Sequence, residues 1–229
     1  MEEKLVSEGK CLFCEQKFTQ RTIAKHLEKH LSDIEKKSKD DKGAKKYCHI
    51  EVKSGEMFLH LLVSGAAKMQ AIDGALRAIW LECCGHLSAF REKRDEISMS
   101  RKAETVLIPG TVLEHDYDFG STTTVTLKAR NHYSLPFKEA VVLLSRNEPL
   151  KIICHICNKL PATSLCMVCA GDGEFFFCDK CAKKHAKACE DFDDYAKMPV
   201  VNSPRMGVCG YEGGSVDLER DGVYKLNTQ

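Results

Sequence analysis

Between Cys154 and Cys189 the chain carries side chains able to bind a soft metal at regular intervals, and this pattern constrains the fold most. They are Cys154, Cys157, Cys166, Cys169, Cys178, Cys181, His185 and Cys189. Three Cys-x2-Cys pairs have the ligand spacing of zinc sites, and eight ligands are the number needed for two tetrahedral zinc sites. We expect this segment to depend on its metal for folding, because a structural zinc ion supplies folding free energy directly.

The last four ligands have the spacing of one helix face, and this spacing limits how the eight can pair. Cys178 and Cys189 would lie about 16 Å apart along such a helix at 1.5 Å per residue, too far for one ion. Two ions must therefore share the helix. We predict that Cys154, Cys157, Cys178 and Cys181 bind one zinc ion, and that Cys166, Cys169, His185 and Cys189 bind the other.

The spacing of this ligand run resembles that of the interleaved MYND, HIT and B-box fingers. Those families mostly mediate protein–protein contacts or brace a larger domain. A closed site with four protein ligands has no open coordination position, which disfavours hydrolytic zinc catalysis. His155 lies between two ligands, and we expect it to face solvent.

A second, smaller zinc pattern lies near the start of the chain. Its predicted ligands are Cys11, Cys14, His26 and His30. The eleven residues between Cys14 and His26 are one fewer than in the usual two-Cys/two-His finger, where the gap is about 12. Thr19, Thr22 and Lys25 occupy the base-reading positions, and none makes a bidentate base contact. We therefore expect a structural or protein-contact role.

Composition places this chemistry in a reducing compartment. The chain has 229 residues, 13 cysteines, 43% hydrophobic residues and a net charge of +1. It contains no apolar run of about 18 residues, and its charged start lacks the apolar stretch of a signal peptide. We expect a cytoplasmic protein without membrane contact, whose cysteines bind zinc instead of forming disulfides.

Apolar periodicity between the two zinc patterns predicts an α+β fold with a mainly antiparallel sheet, packed helices and two small zinc-finger modules. Residues 47–63 and 110–130 favour hairpins, 69–83 an amphipathic helix, and 140–145 a buried strand. The expected units are a zinc finger (1–31), a Lys-rich linker (32–46), the α+β domain (47–150), the two-zinc treble (151–192) and an irregular tail packing on the body (193–229), with its last fifteen residues loose.

Two further groups of side chains suggest chemistry without establishing it. Cys83, Cys84 and His86, with Cys209 downstream, can form another metal site or a Cys/His nucleophile pair. Packing at a helix end is the interpretation we favour, since free cysteines are commonly buried. The second group, Asp116 and Asp118, can act as an acid/base pair. We favour a turn and edge role for it, on the solvated face of a hairpin.

Residues 47–211 resemble the plasmid pRiA-type ORF-three-like family, also labelled transposon-passenger TnpR-like proteins, of bacteria and archaea. The resemblance lies in a Trp-(x)5-His-Leu-(x)2-Phe signature and a Tyr-Asp-Phe-Gly hairpin: Trp80, His86, Leu87, Phe90, Tyr117, Asp118, Phe119 and Gly120. Ser-Thr-Thr-Thr follows the hairpin, as in the zinc-bearing branch, where other members commonly have a tryptophan. The resemblance implies an α+β domain and a cytoplasmic protein, with no established activity. No serine-recombinase motif is present.

These observations favour a zinc-binding, non-enzymatic protein-interaction or scaffold protein that holds three zinc ions. The alternative is a nucleic-acid-associated protein linked to mobile elements, binding weakly through the finger and the basic linker. A third hypothesis is an enzyme that uses the Cys83/Cys84/His86 or the Asp116/Asp118 group.

Overall fold

One large antiparallel sheet forms the body of the protein, as the alternating apolar patterns predict. The computed structural model describes residues 7–173, 175–216 and 225–226. The strands of this sheet are β1 (Glu8–Cys11), β2 (Lys17–Thr19), β3 (Lys45–Ser54), β4 (Met57–Ser64), β5 (Ser88–Glu92), β6 (Asp95–Ile97), β7 (Val112–Tyr117), β8 (Thr123–Leu135) and β9 (Val141–Asn147). Their order is β2-β1-β9-β4-β3-β8-β7-β5-β6.

The other elements are short, apart from one helix. The helices and remaining strands are α1 (Ile23–Lys37), α2 (Met69–Leu76), α3 (Ala103–Val106), α4 (Asp179–His185), β10 (Ser164–Cys166), β11 (Phe176–Phe177), β12 (Lys197–Pro199) and β13 (Lys225–Leu226). A small second sheet has the order β11-β10-β12, and β13 pairs with β9 of the large sheet. A π-helical turn, Arg77–Leu81, follows α2, and a second one spans Phe192–Ala196.

The central strands bury side chains on both faces. On β4, Leu59 and Leu61 belong to a cluster with α2 and Trp80, whereas Phe58 and Leu62 belong to a cluster on the opposite face. That second cluster includes Ile23, Leu27 and Leu31 of α1. Successive side chains of a strand point to opposite faces, so the nearly continuous apolar run of β4 matches a strand buried on both sides.

A β-bulge determines which face β8 presents to each cluster. The register between β3 and β8 shifts between Cys48 and Ile50. Before the shift, Leu127 and Ala129 pack on the α2 side; after it, Tyr133 and Leu135 pack on the α1 side. One extra residue reverses the alternation for the rest of the strand.

The N-terminal finger is hydrogen-bonded into the body. Its strand β1 pairs antiparallel with β9, and Cys11 lies opposite Ser145. A methyl group on Gly9 would lie 2.5 Å from Phe58 Cζ, so this close approach requires glycine. Between the finger and the body, the segment without regular structure is shorter than the expected linker 32–46. Helix α1 continues to Lys37, and its residues Leu31 and Ile34 pack in the cluster on that face of the sheet. Strand β3 then begins at Lys45.

The expected helix at 69–83 needs correction, and part of the expected tail lies outside the described residues. The amphipathic pattern at 69–83 is not one α-helix, since α2 ends at Leu76 and the chain continues as the π-helical turn. The tail contacts the body from Asn202 onwards: the carbonyl oxygen of Asn202 accepts from Arg146, and Ser203 Oγ donates to the carbonyl oxygen of Trp80. Most of the last fifteen residues lie outside the described residues.

No helix within the described part of the chain has the length and apolarity needed to cross a membrane.

A buried histidine pair lies on the α1 side of the sheet. His49 Nε2 is 3.0 Å from His60 Nδ1, and both side chains are fully buried. Burial, together with the positive charge of nearby Arg130, lowers the pKa of His49 to about 3. Burial and the neighbouring His49 hold the pKa of His60 well below its usual value. Both rings are therefore neutral in the folded protein at neutral and mildly acidic pH.

This pair makes stability depend on pH. The unfolded rings bind protons below about pH 6.5, while the folded rings do not, so stability is complete above this pH and falls as the pH decreases. Each ring contributes up to about 1.4 kcal/mol per pH unit below its unfolded pKa. Replacing His49→Gln should flatten the pH dependence of the unfolding free energy between pH 6.5 and 5, measured by denaturant titration. The exposed substitution Lys29→Gln is the control, and an equal slope in the two variants would contradict the assignment.

Candidate metal centres

The finger brings its four predicted ligands together at the edge of the large sheet. Cys11 ends β1, Cys14 lies in the turn before β2, and His26 and His30 are one helical turn apart on α1. Their ligand atoms all lie within 4.8 Å of one another. His26 Nε2 is 3.2 Å from Cys14 Sγ and 3.1 Å from His30 Nε2. Phe18 stacks on the His26 ring at 3.9 Å, which holds that ring in place.

The first cluster of the treble joins a cysteine knuckle to the start of α4. Cys154 and Cys157 lie in the knuckle, Cys178 is the N-cap of α4, and Cys181 lies on its first turn. The Sγ atoms of Cys157 and Cys178 are 3.9 Å apart. Burial raises the pKa of Cys154, but N–H groups of Cys157, Cys178 and Ile156 outweigh it and lower that pKa to about 6. Burial and the neighbouring Cys178 raise the pKa of Cys181 to about 12, so Cys154 becomes a thiolate, the form that binds metal, more readily than Cys181.

The second cluster of the treble lies at the other end of the same helix. Cys166 ends β10, Cys169 lies in a 3-10 turn, His185 is the last residue of α4, and Cys189 follows one turn later. Cys166 Sγ is 4.0 Å from Cys189 Sγ, and Cys169 Sγ is 3.6 Å from His185 Nε2. The His185 ring stacks on Phe177 at 4.2 Å.

The treble therefore groups its eight side chains in the two interleaved sets that the sequence suggests. The helix is shorter than the ligand spacing suggests, since α4 ends at His185 and the backbone turns to bring Cys189 back towards Cys166. His155 is half-buried instead of facing solvent, because its ring packs edge-on against Phe175 and Phe176.

The separations between the donor atoms fit a tetrahedral metal ion. Zinc–sulfur and zinc–nitrogen bonds of about 2.3 and 2.0 Å give tetrahedron edges of about 3.8 Å for S–S, 3.5 Å for S–N and 3.3 Å for N–N. The Sγ–Sγ separations of 3.9 and 4.0 Å in the treble are far longer than a disulfide, about 2.05 Å. Thiolate and imidazole donors favour zinc-like ions over magnesium or calcium. Each cluster can hold one soft divalent ion.

A fourth group of possible ligands lies on the body of the protein. Its members, Cys83, Cys84, His86 and Cys209, also have all their ligand atoms within 4.8 Å of one another. The favoured interpretation, packing at a helix end, holds for Cys83, which packs against the core, but not for Cys84 and Cys209, which are exposed. The sequence offered this set as one alternative, but no fixed spacing links Cys209 to the other three residues, because it lies 125 residues after Cys84.

The carboxylates of the hairpin are not on a solvated face. Asp116 accepts a hydrogen bond from Thr124 Oγ1 at 2.6 Å and is largely buried. Asp118 lies beyond the end of β7 in a left-handed conformation, φ 64°, and is also buried. Its Oδ2 accepts from the guanidinium of Arg205 at 2.5 Å, and this bond lowers the pKa of Asp118 to about 2. Arg205 is fully buried, and sequence reasoning did not identify it.

A second polar network, also missed from the sequence, attaches the π-helical turn to the sheet. Asp73 Oδ1 accepts from Ser88 Oγ at 2.6 Å and lies 2.8 Å from His115 Nε2. Asp73 Oδ2 accepts from Arg77 Nε at 2.8 Å. Burial raises the pKa of Asp73, but the bonds to His115 and Ser88 outweigh it and lower that pKa. Ser88 and His115 both bond the carboxylate and not each other, so this is not the geometry of a nucleophile and its base.

Comparisons with known proteins leave the family open. No family model matches the chain, and no curated protein matches it. Among solved structures, a protein of unknown function from Methanosarcina mazei Go1, MM3350, is similar over 44% of this chain and 69% of its own, with 13% identity and a TM-score of 0.39.

Paired substitutions test the interleaved grouping in the treble. Because Cys157 and Cys181 belong to one cluster, the double variant Cys157→Ser/Cys181→Ser should lose one metal ion relative to the wild type. Cys181→Ser/Cys189→Ser should lose two, because these cysteines belong to different clusters. Native mass spectrometry under reducing conditions counts the ions. If the ligands instead pair sequentially along the chain, Cys157→Ser/Cys181→Ser should lose two ions and Cys181→Ser/Cys189→Ser should lose one. That result would overturn the grouping.

Proposed function

We propose that this protein is a zinc-binding, non-enzymatic interaction or scaffold protein of the ORF-three-like family. The finger and the treble hold three zinc ions, and the treble presents a surface to a protein partner. The observation that supports this most is the closed set of four protein donors in each cluster. Such a site binds a structural ion and leaves no position for a substrate.

Exposed large apolar side chains on the treble support a protein partner. Ile153, Ile156 and Leu160 are 43%, 48% and 50% exposed on the first knuckle. Met167 and Val168 are 40% and 48% exposed between the ligands Cys166 and Cys169. Apolar side chains exposed together on one module form the kind of patch that marks a protein-interaction site, and apolar contacts favour a protein over a nucleic acid.

The metal ions explain how so small a module can expose these side chains. Among the described residues, the treble's buried cluster contains Phe177, Phe192 and two alanines besides its cysteines, and Leu165 and Met198 are the other large apolar side chains buried in this region. This core is too small to stabilise the module alone, whereas a structural zinc site contributes about 10–16 kcal/mol of apparent binding free energy. Coordination fixes the backbone beside each exposed residue, so the surface is preformed for binding.

Introducing negative charges among the exposed apolar side chains of the treble tests the partner surface. The variant Ile156→Glu/Val168→Glu should lose its protein partners in a crosslinking recovery from native cells, because a charge beside each apolar contact opposes its burial. Its zinc content should remain that of the wild type. The control Ile108→Glu/Val112→Glu changes two equally exposed apolar residues of the body and should retain the partners. Equal recovery by both variants, or recovery of nucleic acid alone, would contradict the proposal.

A basic groove supports nucleic-acid binding as the second candidate function. It lies between α1 and the sheet, and five cations line it: Arg21, Lys25, Lys53, Lys128 and Arg130. Glu51, which also lines it, pairs with Lys53 at 2.7 Å. Among the described residues, no carboxylate lies within salt-bridge distance of Arg21, Lys25 or Lys128. These three side chains are the ones available to phosphates.

Salt dependence tests this second candidate. Contact with three phosphates of duplex DNA gives a slope of log K against log salt of about −2.7, whatever the sequence. Lys25→Glu/Lys128→Glu should abolish the binding measured by fluorescence anisotropy at low salt. Arg94→Glu/Lys102→Glu changes two exposed cations outside the groove by the same charge and should reduce it much less. No binding by the wild-type protein at low salt would remove this candidate.

A further inference from the structure

Four side chains from distant parts of the chain converge beside the π-helical turn. Cys83 and Cys84 follow the turn, His86 precedes β5, and Cys209 comes from the tail, 125 residues after Cys84. Cys84 Sγ is 3.7 Å from Cys83 Sγ and 3.6 Å from Cys209 Sγ. His86 Nε2 is 2.9 Å from Cys84 Sγ and 3.3 Å from Cys209 Sγ. Three sulfurs and one imidazole nitrogen thus face a common point.

These distances match a tetrahedral metal ion better than a disulfide. The two Sγ–Sγ separations are close to the zinc–sulfur tetrahedron edge of about 3.8 Å and well above the disulfide length of about 2.05 Å. The grouping therefore has the same geometry as the clusters in the finger and the treble. One aromatic contact supports the histidine, since the His86 ring packs edge-on against Tyr117 at 5.8 Å.

The backbone adopts a costly conformation at Cys209, and a glycine allows the turn that follows Cys84. Cys209 has φ 52°, in the left-handed region that non-glycine residues rarely occupy, at a cost of about 1–3 kcal/mol. Gly85, between Cys84 and His86, has φ 78°, and its N–H donates to Glu82 Oε1 at 2.5 Å. Arg77 and Tyr117 also donate to Glu82, which holds the Cys84–His86 loop in its shape. A ligand that gains from this shape would offset its cost.

The surroundings orient the histidine and balance the charge of the thiolates. With Nε2 directed at the sulfurs, His86 Nδ1 faces Asp118 Oδ1 at 3.6 Å. A carboxylate behind a metal-binding imidazole is the usual arrangement in zinc sites, because it fixes the ring and its tautomer. Arg205 connects the two sides, with one N–H on Asp118 at 2.5 Å and a longer contact to Cys83 Sγ at 3.6 Å.

We infer that Cys83, Cys84, His86 and Cys209 bind a fourth zinc ion, which fastens the tail to the body. This site goes beyond the three structural ions of the proposed function. It also differs from them in exposure: Cys84 and Cys209 are exposed, whereas each of the other clusters contains at least one buried cysteine and no exposed ligand. Solvent and competing ligands reach this ion directly, so it is the one that exchanges most readily.

Metal counting on the full-length protein tests the site. Native mass spectrometry of the zinc-loaded, reduced wild type should give four ions, and Cys84→Ser/Cys209→Ser should give three. Both cysteines are exposed, so the variant should fold; circular dichroism checks this, and Cys209→Ala alone, which should also lose one ion, provides an independent measurement. Three ions in the wild type and unchanged counts in the variants would overturn the inference while leaving the other three sites intact. Fewer than three ions in the wild type would instead contradict the proposed function.

Exchange kinetics and thiol state give a second readout. A chromogenic chelator should remove one ion of the four at least tenfold faster than the rest, and this rapid phase should be absent in Cys84→Ser/Cys209→Ser. A rapid phase that persists in the variant would overturn the inference. So would a Cys84–Cys209 disulfide, detected by alkylation and mass spectrometry of protein purified without reductant, in a wild type that holds only three ions.

Discussion

Burial of both faces of β3, β4 and β9 is the constraint on which the rest of the structure depends. Strands with apolar side chains on both faces need a layer on each side. The chain supplies α2 with its π-helical turn on one side and the finger helix α1 on the other. The finger is therefore a structural layer of the body, and its apolar residues pack against the sheet in addition to forming a miniature core. Its four candidate metal ligands lie at the edge of this layer, where β1 continues the sheet.

The treble is stabilised in a different way, and this difference bears on function. It buries few apolar side chains besides its cysteines, so in the proposal above metal coordination takes the place of a hydrophobic core. A module held by metal can leave its large apolar side chains at the surface, as Ile156 and Leu160 are. The finger contributes stability to the body, whereas the treble contributes a rigid surface.

The tail follows the treble in the chain and attaches to the body through polar contacts with the π-helical turn. Ser203 Oγ and the Val216 N–H donate to the carbonyl oxygens of Trp80 and Ala78, which lie in the last turn of the helix, where carbonyl oxygens lack an intrahelical partner. Arg205 then reaches the hairpin through Asp118, Ser121 and Thr123. A fourth ion at Cys209 would act at this same junction. The tail, the hairpin and the end of the π-helical turn thus form one connected region.

The sequence by itself determined the features that depend on local spacing. Alternating apolar patterns predicted the hairpins, a continuous apolar run predicted the buried strand β9, and the reach of a helix predicted the interleaved grouping in the treble. Tertiary structure decided the features that depend on distant partners. The bulge in β8 reverses a face, the strand β1 selects β9 as its neighbour, and Arg205 draws Asp118 into a buried ion pair. The convergence of Cys209 with Cys84 belongs to this second class. No local spacing in the sequence links Cys84 to Cys209, because the two sulfurs approach each other only once the tail has packed on the body.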